Sequence, residues 1–168
     1  LFTCRHTIGL DVQRLFQQLT SLGRNTNLRS ILQSPFTLHR AMLEFIEREA
    51  AAARAGKPAR ITAKMNSLIE PAIIEALYRA SCAGVEIDLI VRGVCALRPG
   101  IEGVSERIRV RSIVGRFLEH TRVFVFENGD PQVYLSSADW MGRNFFSRVE
   151  ACFPILDPAL GRRIVAEL

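Results

Sequence analysis

Arg60-Ile61-Thr62-Ala63-Lys64-Met65-Asn66, followed by Pro71 to Cys82 and then Val85-Glu86-Ile87-Asp88-Leu89-Ile90-Val91-Arg92, is the stretch that decides the fold. The first segment has the length and composition of a strand. The second reads as a helix, with proline at its favoured first position and Gly84 closing it. The third is a nearly continuous apolar run of the kind found in strands buried on both faces. Strand, helix and strand joined by short connections make a parallel crossover unit, which is right-handed in nearly all known cases.

Outward from this unit the same punctuation continues. Upstream, Ser34 is expected as an N-cap with Pro35 at the first helical position, and Leu38, Met42, Phe45 and Ile46 form an apolar stripe. That helix should stop at Gly56-Lys57-Pro58. Downstream, Arg107–Val114 reads as a strand, and Arg122–Phe126 with Gln132–Leu135 as a hairpin whose turn, Glu127-Asn128-Gly129-Asp130-Pro131, carries an Asn-Gly step. Asp157 and Pro158 open a last helix running to Leu168. Residues 1–33 suggest a strand end at Leu1–Cys4, an amphipathic helix over Val12–Leu22 and a polar linker at Gly23-Arg24-Asn25-Thr26-Asn27. The expected architecture is α/β, a mixed sheet of about five strands flanked by helices.

The chain has 168 residues, 48% of them hydrophobic, enough for a single domain with its own core. Fibrous and disordered classes are excluded. Lys57 and Lys64 are the only lysines among 22 basic residues set against 17 acidic ones. So strong an arginine bias fits a polyanionic partner, because guanidinium forks match phosphate and carboxylate oxygens, and it fits genomic base composition equally well. Cys4, Cys82, Cys95 and Cys152 lack paired close spacing, and Cys82 and Cys95 fall in apolar patterns; core thiols in a reducing compartment are expected, with no metal site. No apolar run approaches the roughly 18 residues of a spanning helix, so a cytoplasmic location without an integral membrane segment is expected, with peripheral association left open. The chain begins at Leu1 and ends in a helical pattern, as expected for a piece of a longer protein.

Placement sorts the arginines. In Arg107-Ile108-Arg109-Val110-Arg111 a strand period of two sets three guanidiniums on one face, which should be open to water or meet an anion. Arg92 ends a buried strand directly before Gly93, where ligands of open α/β sheets bind, and Lys64 and Asn66 near the end of the neighbouring strand could meet it. His6 and His39 lack convergent polar partners in sequence. His120 enters a strand two residues before Arg122 and seven before Glu127, with Ser136-Ser137-Ala138-Asp139 after the next strand. That order is similar to the histidine-x-lysine signature of the phospholipase D superfamily, with arginine for lysine. An imidazole can act as nucleophile, acid or base near neutral pH, and a guanidinium on the same face could bind phosphoryl oxygens. Because arginine is a fork and lysine a point charge, phosphodiester hydrolysis does not follow from the signature. A phospholipase D-like phosphodiesterase and a non-catalytic polyanion-binding module remain the alternatives.

Four segments together narrow the field: Ile61-Thr62-Ala63-Lys64-Met65-Asn66-Ser67-Leu68, Leu89-Ile90-Val91-Arg92-Gly93, Arg109 to His120, and Val133-Tyr134-Leu135-Ser136-Ser137-Ala138-Asp139-Trp140-Met141. In this order they resemble the last, phospholipase D-like domain of bacterial polyphosphate kinases. The resemblance spans about residues 34–168 and implies that residues 1–33 are the tail of a preceding phospholipase D-like domain. It further implies reversible transfer of the terminal phosphoryl group of ATP to inorganic polyphosphate through a phosphohistidine held in that preceding domain. His120 matches the family's second active-site histidine and Arg92 its phosphate-binding arginine, with Arg122, Lys64 and Asn66 as further phosphate contacts. Magnesium would come mainly from outside this chain, ATP, ADP and polyphosphate would be the partners, and the full-length enzyme would be a homo-oligomer. No nucleic-acid partner is expected, because Phe2, Phe16, Phe36, Phe45 and Phe117 are scattered through apolar stripes and form no stacking platform.

Overall fold

The computed structural model describes residues 3–20 and 28–168. The deciding stretch folds as expected. Strand β2 (Arg60–Met65), helix α3 (Pro71–Ala83) and strand β3 (Glu86–Val91) form the parallel crossover, with Lys64 opposite Ile90. Pro71 opens α3 behind Glu70, whose side chain accepts the Ile73 N–H at 2.7 Å. Gly84 closes it in the left-handed region at φ 104°, where a side chain would be strained.

The remaining elements are α1 (His6–Leu19), β1 (Leu32–Ser34), α2 (Leu38–Arg54), β4 (Ile108–Arg111), β5 (Val123–Phe126), β6 (Gln132–Ser136), α4 (Gly142–Phe146), β7 (Glu150–Pro154) and α5 (Pro158–Ala166). Together the strands make one seven-stranded sheet in the order β1-β7-β6-β5-β2-β3-β4. β3 and β4 also run parallel to β2, whereas β5 pairs antiparallel with both β2 and β6. The mixed α/β sheet is therefore as expected, with two strands more than the sequence suggested.

Period-two alternation gives the sheet two different faces. Ile61, Ala63, Met65, Ile87, Leu89, Val91, Phe124 and Phe126 point to the side covered by α2 and α3 and form the main core. On the other side Val123, Val125 and Val133 pack with Leu135, Ile155, Ile164 and Val165 beneath α5. Beyond α5 this second face is charged.

Several expectations are corrected. Ser34 does not cap α2: it closes β1, which pairs antiparallel with β7, and Thr37 stands before Leu38 with its hydroxyl accepting the Gln33 N–H at 2.9 Å. The ladder with β7 satisfies the backbone of 32–34 better than a helix start would. The strand expected over Arg107–Val114 ends at Arg111, because only Ile108–Arg111 find partners on β3. Helix α1 starts at His6 and ends at Leu19, and no strand includes Thr3 or Cys4. Its Asp11, fully buried, accepts the N–H groups of Arg29, Ser30 and Ile31 at 2.8, 2.6 and 3.1 Å and so ties α1 to the approach of β1. Leu1, Phe2 and the linker Gly23–Asn27 lie outside the described residues. Cys82 is exposed, against expectation, because it faces the 103–104 turn from the outer side of α3; the core thiol is Cys152, which burial pushes up to about 12. All four cysteines are free. No helix among the described residues is long and apolar enough to cross a membrane.

Candidate functional site

The topology gathers the singled-out residues at one end of the sheet. β2, β3, β4 and β6 run in one direction and β5 in the other, so the carboxyl ends of the first four meet the amino end of β5. Asn66 follows β2, Arg92 follows β3, His120 and Arg122 precede β5, and Ser137 to Asp139 follow β6. This is the rim at which open α/β sheets bind ligands.

Asp139 is the anchor. It is 7% exposed and accepts Arg122 Nε at 2.8 Å and an Arg122 terminal nitrogen at 3.1 Å, a bidentate pair, together with the N–H groups of Asn66 at 2.7 Å and Ser67 at 3.4 Å. Its own N–H donates to Asn144 Oδ1 at 3.3 Å; Asn144 in turn donates to Glu150 at 2.7 Å, and Glu150 also accepts from the Ser137 hydroxyl. Ser137, singled out in the sequence, thus braces the site from behind. The signal for Asp139 was present in the serine-rich cluster, but its partner across 17 positions is a product of the sheet order.

Arg122 uses all five of its N–H groups inside the protein. Besides Asp139, they reach His120 Nδ1 at 3.2 Å, the His120 carbonyl at 3.1 Å and the Asn66 side-chain oxygen at 3.0 Å. In this arrangement the Asn66 Nδ2 donates to the Glu119 carbonyl at 2.8 Å. Arg122 was expected as a phosphate fork; in this structure its N–H groups are directed to Asp139, His120 and Asn66. Lys64, largely buried along its side chain, places Nζ 3.5 Å from Glu119 Oε1. The Thr121 hydroxyl and N–H, followed by Lys64, hold the Glu119 carboxyl below the usual range. Arg92 contrasts with both cations, because its half-buried guanidinium has no partner among the described residues. Its backbone is fixed by N–H donation to the Met65 carbonyl at 3.1 Å and by the Ser112 hydroxyl, which donates to the Arg92 carbonyl at 3.1 Å. Gly93 lets this strand end approach β2 closely, since a Cβ there would stand 3.0 Å from the Asn66 carbonyl oxygen.

Three other candidates lie elsewhere. The face of Arg107 and Arg109 meets carboxylates of the same chain: Arg107 pairs with Glu86 at 2.7 Å and Arg109 with Asp88 at 2.9 Å. Burial works against the Asp88 charge, but hydrogen bonds from Arg109 and Arg60 outweigh it and hold the carboxyl below its ordinary range. Glu127 sits at the far end of β5, 3.8 Å from Arg60, and His120 does not meet it. His39 is a packing residue, its Nε2 3.2 Å from Glu70 and its ring against Phe145 and Phe146. The two carboxylates of the rim, Glu119 and Asp139, are engaged by Lys64 and Arg122, and no group of three metal-ligating side chains converges among the described residues. These side chains do not fit a magnesium site.

Beside His120 the loop between β4 and β5 carries Ile113, Val114, Phe117 and Leu118 on the surface, with Val114 81% and Phe117 82% exposed. So apolar a ridge beside a polar rim is an exposed patch of the kind used for interaction.

The family model "Polyphosphate kinase C-terminal domain 2" matches residues 31–168. The polyphosphate kinase of Neisseria meningitidis serogroup C is 60% identical over 168 residues, covering 99% of this chain and 24% of that protein. That of Xylella fastidiosa strain Temecula1 is 59% identical over 169 residues, covering 100% and 24%. The chain thus spans about a quarter of the length of the relatives it matches. The crystal structure of polyphosphate kinase from Porphyromonas gingivalis superposes with a TM-score of 0.94 at 42% identity, over 98% of this chain and 25% of that one. Nuc from Salmonella typhimurium, a phospholipase D family member, matches at TM-score 0.58 and 18% identity, over 82% of this chain and 88% of that one, a likeness of fold.

Proposed function

The chain belongs to the polyphosphate kinase family, as its second C-terminal domain with a phospholipase D-like fold, and from this we propose that it forms one wall of a site that moves the terminal phosphoryl group of ATP reversibly onto inorganic polyphosphate. The observation that carries the proposal is Arg92: a half-buried guanidinium, without a partner among the described residues, on the same rim as His120. A fork held without a counter-ion suits a phosphoryl group, which it can grip in two places. Lys64, reached by Glu119 alone among the described residues, supplies a second charge on the rim, and Asn66 follows it at the end of β2. His120, on the same rim, would stabilise charge that develops on the transferring group.

The phosphohistidine nucleophile is assigned to a preceding domain, of which residues 1–33 would be the tail, and magnesium to the same missing part. The exposed ridge Ile113, Val114, Phe117 and Leu118 supports this division, because it is the surface over which the opposite wall would close. By itself the chain should bind short polyphosphates and release no ADP from ATP.

Two measurements test the proposal. In the full-length enzyme His120→Ala should lower turnover by at least about 100-fold, the lower end of what a positioned imidazole contributes. Near-normal turnover would remove His120 from the reaction. Titration of the 168-residue chain with tripolyphosphate should show binding that Arg92→Ala abolishes; binding unaffected by Arg92→Ala would reduce the site to a diffuse charge patch.

A further inference from the structure

The geometry points to Arg122 as a positioning residue that orients the His120 ring with its proton on Nε2, so that the ring meets a phosphoryl oxygen as a hydrogen-bond donor. The assignment rests on the phosphoryl-transfer reading above, and it replaces the broader choice among nucleophile, acid and base by one role.

The chemistry of the partner decides the tautomer. A guanidinium has no acceptor and remains charged, so at 3.2 Å from Nδ1 it can only donate. Nδ1 must then offer a lone pair, and the single proton of a neutral imidazole sits on Nε2. An imidazolium would turn an N–H toward the arginine and bring two positive groups together. With its proton on Nε2 the ring has no lone pair there for nucleophilic attack. It also cannot surrender that proton without becoming an anion. What remains is donation: no bond to the ring forms or breaks, and Nε2–H stabilises negative charge that builds on a phosphoryl oxygen.

Arg122 is suited to the task by its own fixation. Its side chain is 11% exposed, and Asp139 grips it bidentately at 2.8 and 3.1 Å. A second contact from the same terminal nitrogen to the His120 carbonyl, 3.1 Å, ties ring and backbone to one group. Asn66, at 3.0 Å, takes the last donor. The chain of positioning thus runs Asp139 to Arg122 to His120. A lysine at this place would have three donors for these five contacts and no plane to set their directions.

The spectroscopic test uses the 168-residue chain labelled with ¹⁵N-histidine at pH 8, with His120→Gln identifying the His120 signals among the three histidines. Long-range ¹H–¹⁵N correlations should show His120 as a single Nε2–H tautomer, and Arg122→Gln should give the mixture of tautomers of a free imidazole. Arg122→Lys should restore part of the preference. His120 carrying its proton on Nδ1, or on both nitrogens, in the unmodified chain overturns the inference even if every variant fails to fold. The kinetic test uses the full-length enzyme. Arg122→Gln should lower kcat by up to about 100-fold, as misplacement of a reacting group does, and leave KM for polyphosphate nearly unchanged. A raised KM with unchanged kcat would make Arg122 a phosphate contact instead. If His120→Ala proves harmless while the Nε2–H tautomer is observed, His120 leaves the reaction and the positioning by Arg122 survives as structure alone.

Discussion

Glu49 makes the stability of this domain depend on pH in a direction opposite to that of most carboxylates. It lies on α2, fully buried, with Oε1 accepting Asn128 Nδ2 at 2.7 Å. Burial pushes its carboxyl from the ordinary 4.5 up to about 7, against the opposing pull of the Arg60 N–H, Asn128 and Arg48 and with a small push from Glu127. A carboxyl raised in the folded state favours folding while it is protonated. Its contribution is complete below about pH 4.5 and fades as pH rises toward 7, because the folded protein must then hold a buried charge. A shift from 4.5 to about 7 corresponds to about 3 kcal/mol across that window. Glu49→Gln keeps the shape and the oxygen facing Asn128 but cannot ionise. At pH 5 the variant and the parent should be nearly equal in stability; at pH 8 the variant should be the more stable by about 3 kcal/mol, or roughly 6–12 °C in Tm for a domain of this size. Urea unfolding of both proteins at the two pH values gives the comparison, in which other titrating groups cancel. A stability difference that does not change with pH would refute the reasoning.

Asp139→Ala should cost about 3–5 kcal/mol of stability, since it strands the largely buried Arg122 guanidinium and the Asn66 N–H; a loss below about 1 kcal/mol in urea unfolding would mean that the pair is solvated. Replacing both partners, Arg122→Met with Asp139→Leu, should recover much of that stability and none of the activity. Gly93→Ala brings a Cβ to 3.0 Å from the Asn66 oxygen and should cost about 1–3 kcal/mol, with weaker tripolyphosphate binding as the two strand ends part; unchanged calorimetric binding and Tm would show that the close approach is relaxed easily. Arg92→Lys should weaken tripolyphosphate binding by about tenfold or more in calorimetry, because a bidentate contact becomes a single one worth about 1.5–3 kcal/mol less, and an equal affinity would argue that the fork is not used.

What could be read from the sequence was whatever local chemistry imposes. The crossover unit was legible because Pro71, Gly84 and the apolar run of β3 each admit one interpretation. β1 and β7 were not. Leu32–Ser34 is three residues long and is a strand only because Ala151 and its neighbours pair with it from more than a hundred positions away. Ser34-Pro35 carries a good local signal for a helix start, and the long-range ladder outweighs it. In the same way, the arginine row at Arg107 and Arg109 was recognised as a like-charged face, but alternation along one strand cannot tell what the next strand presents. Glu86 and Asp88, in register on β3, turn it into an ion-pair ladder.

The site shows the same limit and gives it a chemical consequence. His120, Arg122, Arg92, Lys64 and Asn66 were each identifiable by residue type and strand position, and the parallel run of β2, β3 and β6 against β5 does bring them to one rim. Sequence could not assign the arginines their separate roles, because a guanidinium's role depends on which of its donors are already used. Arg122 and Arg92 lie on opposite sides of that distinction: one has every N–H engaged by Asp139, His120 and Asn66, the other has none engaged among the described residues. A cation whose donors are spent can orient a neighbour but cannot grip a ligand; a cation with five free donors, half-buried and uncompensated, gains most when an anion arrives. Of the 22 basic residues, then, the anion-binding role falls first on Arg92, half-buried on the rim with no partner for its guanidinium among the described residues.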